Sequence, residues 1–137
     1  MASRLNPYIS FDGNARQALE YYRDVFGGEL TISTFGESGM ADSPDADKVM
    51  HGNLETDRGF TIMAADTPSG MKYEPGSNMA VSLSGDDTDE LHGYWERLSD
   101  SGSVSVPLEK QMWGDEFGMC ADRFGTAWMV NIAAPKE

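Results

Sequence analysis

The chain has 137 residues, 39% of them hydrophobic, which suits one compact domain with an apolar core of its own. Ten Lys and Arg against 23 Asp and Glu leave a net charge of −13, a field that repels phosphate backbones and anionic headgroups, so neither nucleic acid nor membrane is expected as a partner. The single cysteine, Cys120, cannot close an internal disulfide and lies among apolar neighbours, which points to an inert packing thiol.

No apolar run approaches the ~20 residues of a membrane span, and "MASRLNPYIS" lacks the apolar centre of a signal peptide. A cytoplasmic protein is expected.

In chain order, "NPYISFDG" reads as a short strand ended by a turn at Asp12-Gly13. Ala15, Ala18, Leu19, Tyr22, Val25 and Phe26 then recur at the spacing of one helix face. Asn14 with Gln17 makes a capping pattern at the start of that helix, and Gly27-Gly28 a left-handed stop at its end. "ELTISTFG", "KVMHGNLET" and "GFTIMAAD" read as strands, and the acidic "ESGMADSPDAD" between the first two as a mobile surface loop. The linker Thr67 to Asn78 carries Pro68, Gly70, Pro75 and Gly76 and reads as irregular.

The second half repeats the plan. "NMAVSLSG" is a strand, Asp87 with Glu90 a capping box, and Leu91, Tyr94, Trp95 and Leu98 a helix face that Gly102 can end. "SVSVPLEKQMW", "EFGMCADR" and "TAWMVNI" complete it, with a tight turn at Phe124-Gly125 feeding the last strand. Laid over the first half, the second places Asn78 on Asn6, Val81 on Ile9, Ser82 on Ser10, Leu83 on Phe11, Leu91 on Leu19 and Tyr94 on Tyr22. A repeat that matches both strand and helix patterns predicts an α+β chain of paired β-α-β-β-β modules: a single domain over 1–137, with modules at 1–67 and 78–137.

The opening "LNPYISFDGNARQALEYYRDVFGGEL", the "VMHGNL" strand and the closing "WGDEFGMCADRFGTAWMVN" resemble the PhnB-like branch of the vicinal oxygen chelate superfamily, which includes glyoxalases, bleomycin-resistance proteins and extradiol dioxygenases. The resemblance spans nearly the whole chain. It implies an incomplete eight-stranded barrel with helices on the convex face, a pocket on the concave face, and a homodimer. Some of that branch carry a label of ubiquinone-related methyltransferase, yet no glycine-rich loop for S-adenosylmethionine is present here.

Metal-dependent members of the superfamily place His or Glu at one inward position on the first and last strand of each module. Alternation along each strand sends Ile9, Phe11, Ile62, Ala64, Trp128 and Val130 to the helix side, and leaves Tyr8, Met63 and Met129 among the residues facing inward. The quartet at the family's ligand positions then reads Asn6, Met63, Asn78 and Met129. Amide and thioether groups are weak ligands for hard or borderline divalent ions, so no metal and no other cofactor is expected.

His92 in "DELHGYW" lies off the apolar stripe and reads as a solvent-facing helix residue. In "KVMHGNLET" the apolar Met50 and Leu54 share one face, which puts His51, Asn53 and Glu55 on the pocket face. His51 is either a hydrogen-bonded strand residue or a catalytic acid/base, since imidazole titrates near neutral pH. Nine methionines and the late cluster Trp113, Phe117, Phe124 and Trp128 suggest soft apolar surface, with Trp113 or Phe117 able to stack on a planar ligand.

Three functions follow as expectations. The first is a metal-independent binding protein of the glyoxalase/bleomycin-resistance type, taking a small molecule through Tyr8, His51, Asn53, Met63, Trp113, Phe117 and Met129. The second is a lyase, isomerase or dioxygenase type enzyme of the superfamily using His51. The third is a structural or interaction protein with a vestigial pocket.

Overall fold

The two apolar stripes form two helices, each laid across one face of its own four-stranded sheet. The computed structural model describes residues 3–134. The elements run β1 (Tyr8–Phe11), α1 (Ala15–Phe26), β2 (Glu29–Thr34), a 3-10 turn at Gly36–Ser38, β3 (Val49–Glu55), β4 (Thr61–Asp66), β5 (Val81–Gly85), α2 (Thr88–Ser99), β6 (Ser103–Lys110), β7 (Glu116–Ala121) and β8 (Ala127–Ile132). The chain divides after Gly76 into two compact units, each holding one β-α-β-β-β module.

In the first unit the strand order is β1-β4-β3-β2, with β1 parallel to β4 and the other pairs antiparallel. The stripe Ala15, Ala18, Leu19, Tyr22, Val25 and Phe26 is buried, as are Phe11, Val49, Leu54, Ile62 and Ala64 on the strands. Each fully buried Leu, Val, Ile or Phe contributes up to about 1.5–3 kcal/mol. Gly52 sits at the centre of β3, where an added Cβ would collide with the end of Leu19, so the helix lies directly on that strand.

In the second unit the order is β5-β8-β7-β6, with the same pattern of pairing. Its core takes Leu83, Leu91, Tyr94, Leu98, Cys120, Trp128, Val130 and Ile132. Gly118 repeats the role of Gly52, since a Cβ there would stand 2.8 Å from both the Trp95 ring and the Leu108 backbone.

The start of α1 is held differently from the expected Asn14 cap. The Asn14 side chain makes no capping bond. Instead the buried Asp66, at the end of β4, accepts the N–H groups of Gly13 (3.0 Å) and Ala15 (2.9 Å) on Oδ1 and that of Val49 (2.9 Å) on Oδ2. A carboxylate from a strand thus satisfies orphan donors at the helix start and complements the dipole. In α2 the expected local cap is present, with Asp87 Oδ1 accepting Glu90 N–H at 3.1 Å.

The α1 stop is the predicted one, with Gly27 and Gly28 at φ of 74° and 109°. At the end of α2, Ser101 rather than Gly102 takes the left-handed turn, at φ 67°. Gly102 is instead needed for close approach, because a Cβ there would overlap the Ala121 carbonyl oxygen.

One further expectation is corrected. Val49, not Met50, is the buried residue at the start of β3, while Met50 is 36% exposed. A bulge against β2, between Ser33 and Thr34, inserts Met50 as the extra residue and resets the alternation, so His51 and Asn53 still share one face. In the acidic segment after β2, Glu37 to Asp42 are exposed, while Asp45 is buried and accepts Ser69 N–H (2.9 Å) and Ser69 Oγ–H (2.7 Å), with Lys48 Nζ at 3.1 Å.

Candidate functional site

Each sheet has one face on its helix and one face free of it, and the candidate residues that lie on strands fall on the free faces. In the first unit Tyr8, Met63, Asn53 and Thr31 stand in one register row across four strands, with Ser33 paired to His51 beside it. Tyr8 Oη lies 3.1 Å from His51 Nδ1, with the ring centroids 5.7 Å apart and the planes tilted by 32°. Tyr8 is 50% exposed, and His51, Asn53 and Met63 are half-buried. The structure therefore brings together Tyr8, His51, Asn53 and Met63.

The free face of the second unit has a different character. Ser82, Met129, Met119 and Val106 form its central row, and Asn131, Phe117 and Glu109 the next. Asp115, in the turn between β6 and β7, accepts Asn131 Nδ2–H at 3.1 Å and Ala134 N–H at 2.8 Å. Hydrogen bonds from Asn131, Ala134 and the Trp113 side chain hold its carboxyl below the usual range, against a smaller opposing effect of burial. Trp113 stands in that same turn, 61% exposed. Phe117 and Met129 share this face.

Met119 was not singled out from the sequence, although its alternation with Cys120 in "EFGMCADR" carried the signal. The three carboxylates that organise the surroundings, Asp66, Asp115 and Asp122, were also missed. The donors to Asp66 and Asp115 are distant in sequence, whereas those to Asp122 are Phe124, Thr126 and Trp128, a few residues on in its own turn and strand.

The repeat, read from strand pairing, differs from the repeat read from sequence. Thr56 N–H bonds the Phe60 carbonyl in one module and Asp122 N–H the Thr126 carbonyl in the other, so Met63 and Met129 occupy the same place. Their parallel partners are Tyr8 and Ser82. Sequence overlay instead set Tyr8 on Ala80. The two overlays differ by one pleat, which preserves the face but moves the row. The same offset recurs where Thr67 N–H bonds the Phe11 carbonyl and Ala133 N–H that of Gly85.

The strand register pairs the methionines of the expected quartet Asn6, Met63, Asn78 and Met129 with other residues than its asparagines. Asn6 and Asn78 precede β1 and β5, and the residues in register with Met63 and Met129 are Tyr8 and Ser82. A phenol with a thioether in one module, and an alcohol with a thioether in the other, do not fit a catalytic divalent metal any better than the asparagines did. Among the described residues no group of three or more His, Cys, Asp or Glu is placed to hold a metal ion.

Two other titratable groups lie away from these faces. His92 Nε2 is 2.9 Å from Glu116 Oε1, so this helix residue is paired to β7 rather than only solvated. Cys120 is buried, and burial first, with the nearby Asp122 carboxylate second, pushes its thiol up to about 11. No helix among the described residues is long and apolar enough to cross a membrane.

Comparison with known proteins places this geometry in a family. PA1353 from Pseudomonas aeruginosa superposes with a TM-score of 0.87 at 36% identity, over 98% of this chain and 100% of that one. A Bacillus cereus PhnB protein, described as a putative 3-demethylubiquinone-9 3-methyltransferase, shares the fold at a TM-score of 0.76 and 20% identity, over 96% of this chain and 100% of that one. Protein YjdN of Escherichia coli is 28% identical across 93% of this chain and 94% of its own length, and an uncharacterized Mycobacterium tuberculosis protein, Rv0887c, is 29% identical across 93% and 72%. Residues 4–130 match the family as a whole, and the chain belongs to the Glyoxalase/Bleomycin resistance protein/Dioxygenase superfamily.

Proposed function

We propose that the protein binds a small molecule on the free faces of its sheets without the metal on which catalytic members of the superfamily depend. The observation that carries this reading is the pair of in-register positions on the outer and neighbouring strands of each module: Tyr8 with Met63, and Ser82 with Met129. None of these four side chains is imidazole or carboxylate. Methionines at equivalent places in both modules supply an adaptable apolar surface, since the unbranched thioether re-packs around varied shapes. Tyr8, His51 and Asn53 supply polar recognition in the first unit; Trp113 and Phe117 supply aromatic surface in the second. A homodimer working in the cytoplasm belongs to the same proposal.

The test is a thermal-shift screen of the metal-free protein against divalent metals and a metabolite library, combined with metal analysis of protein prepared without chelator. A ligand that binds only the folded state raises the midpoint, by mass action. The expected result is a shift from organic compounds alone. A stoichiometric transition metal, or stabilisation that needs one, overturns the proposal.

A second reading is favoured by the Tyr8–His51 hydrogen bond: an enzyme in which His51 acts as acid or base. Activity that falls with His51→Ala while binding persists would select it.

A further inference from the structure

The free face of the first sheet carries two hydrogen-bonding groups that the protein itself leaves unused. Among the described residues, His51 bonds through Nδ1 to Tyr8, and neither its Nε2 nor the Asn53 amide has a partner. No buried side-chain nitrogen or oxygen among the described residues lacks a partner, so both groups are open to solvent. They stand two residues apart on one face of β3, about 7 Å along the strand.

The Tyr8 contact decides what His51 presents. A neutral imidazole has one donor and one acceptor nitrogen, and a phenol is the better donor of the two groups. With Tyr8 Oη–H donating to Nδ1, the ring proton sits on Nε2, and the free nitrogen is a donor. The group that meets it must therefore be an acceptor, and Asn53 Nδ2 offers a second donor two residues further along. Charge narrows the acceptor. Glu29 and Glu55, both exposed and paired across β2 and β3, stand on the same face one pleat beyond Asn53 and repel an anion. Met63, in register between Tyr8 and Asn53, supplies an apolar and polarizable floor for the rest of the molecule.

We infer that Tyr8 is a positioning residue that holds His51 as its Nε2–H tautomer, and that His51 with Asn53 thereby recognises the oxygen of an uncharged carbonyl compound. The inference rests on the small-molecule reading above for its ligand half, and on geometry alone for its tautomer half. The two halves are tested separately.

The first measurement is long-range nitrogen NMR of His51 in the ligand-free protein, recorded on the neutral ring. Nδ1 is expected to resonate as an unprotonated nitrogen and Nε2 as an N–H. Tyr8→Phe, which keeps the ring but removes the hydroxyl, is expected to give a mixture of tautomers. An Nδ1–H tautomer in the unsubstituted protein overturns the positioning role, as does an unchanged ratio in a folded Tyr8→Phe. The second measurement titrates benzamide and benzoate against the same resonances. Benzamide is expected to shift the His51 and Asn53 side-chain signals saturably, more tightly than benzoate, and to weaken about 5-fold in Asn53→Ala, the loss of roughly one hydrogen bond. Benzoate binding as tightly, or benzamide leaving both signals unmoved, overturns the ligand class. Neither outcome bears on whether some other compound binds, which the thermal-shift screen reads on its own.

Discussion

Trp128 Nε1–H donates to Asp122 Oδ2 at 2.8 Å, joining the start of β8 to the turn that precedes it. Asp122 Oδ1 accepts Phe124 N–H and Thr126 N–H at 2.8 and 3.2 Å, so one buried carboxylate shapes the Phe124-Gly125 turn and locks the indole under the sheet. Asp122→Ala leaves the buried Trp128 N–H and two part-buried backbone N–H groups without this acceptor. A loss of about 2–4 kcal/mol is expected, read as a lower urea midpoint with unchanged slope.

The helix starts give a contrast among three acids and amides. Asp66→Ala removes the acceptor shared by Gly13, Ala15 and Val49 and is expected to cost about 2–4 kcal/mol. Asp87→Ala removes one exposed cap bond and should cost about 1 kcal/mol. Asn14→Ala should cost a few tenths, because its side chain caps nothing. Denaturant melts of the three variants check the order.

Cys120 should resist thiol reagents in the folded protein and react once it unfolds. The buried thiol has its pKa raised from 9.0 to about 11, so the neutral form is favoured by folding. The unfolded chain loses its proton first as pH rises, and stability from this group therefore falls between about pH 9 and pH 11. Reaction rates with an aromatic disulfide, with and without denaturant, and melts across that window test both statements.

Asp45 predicts an effect of opposite sign. Hydrogen bonds from the Ser69 side chain and backbone, then Lys48, hold its carboxyl below 3.8 despite burial. The tie to Ser69 is therefore present above that pH and lost as pH falls through the depressed value. Amide exchange in the segment between β2 and β3 should accelerate there. Ser69→Ala should move that onset to higher pH.

Much of the architecture was legible because it rests on short-range periodicity. The stripe Ala15 to Phe26 and the alternation in "FTIMAAD" each require only that neighbours along one element share a face. The bulge at Met50 was not legible, because an extra residue in β3 is visible only against β2. Nor was the row through Tyr8. Its register depends on parallel pairing to β4, and the flanking Asn6 satisfies the same alternation one pleat earlier.

The sequence by itself determined the two β-α-β-β-β modules, the faces of most of their strand residues, the apolar setting of Cys120 and the methionines at equivalent positions, since periodicity and repetition are local properties of a chain. Only the tertiary structure decided which residue stands beside Met63, that Tyr8 reaches His51, and that Asp66 rather than Asn14 caps α1. Those relations join residues far apart in the chain, and strand pairing, which slips by two residues without changing a face, is what brings them together.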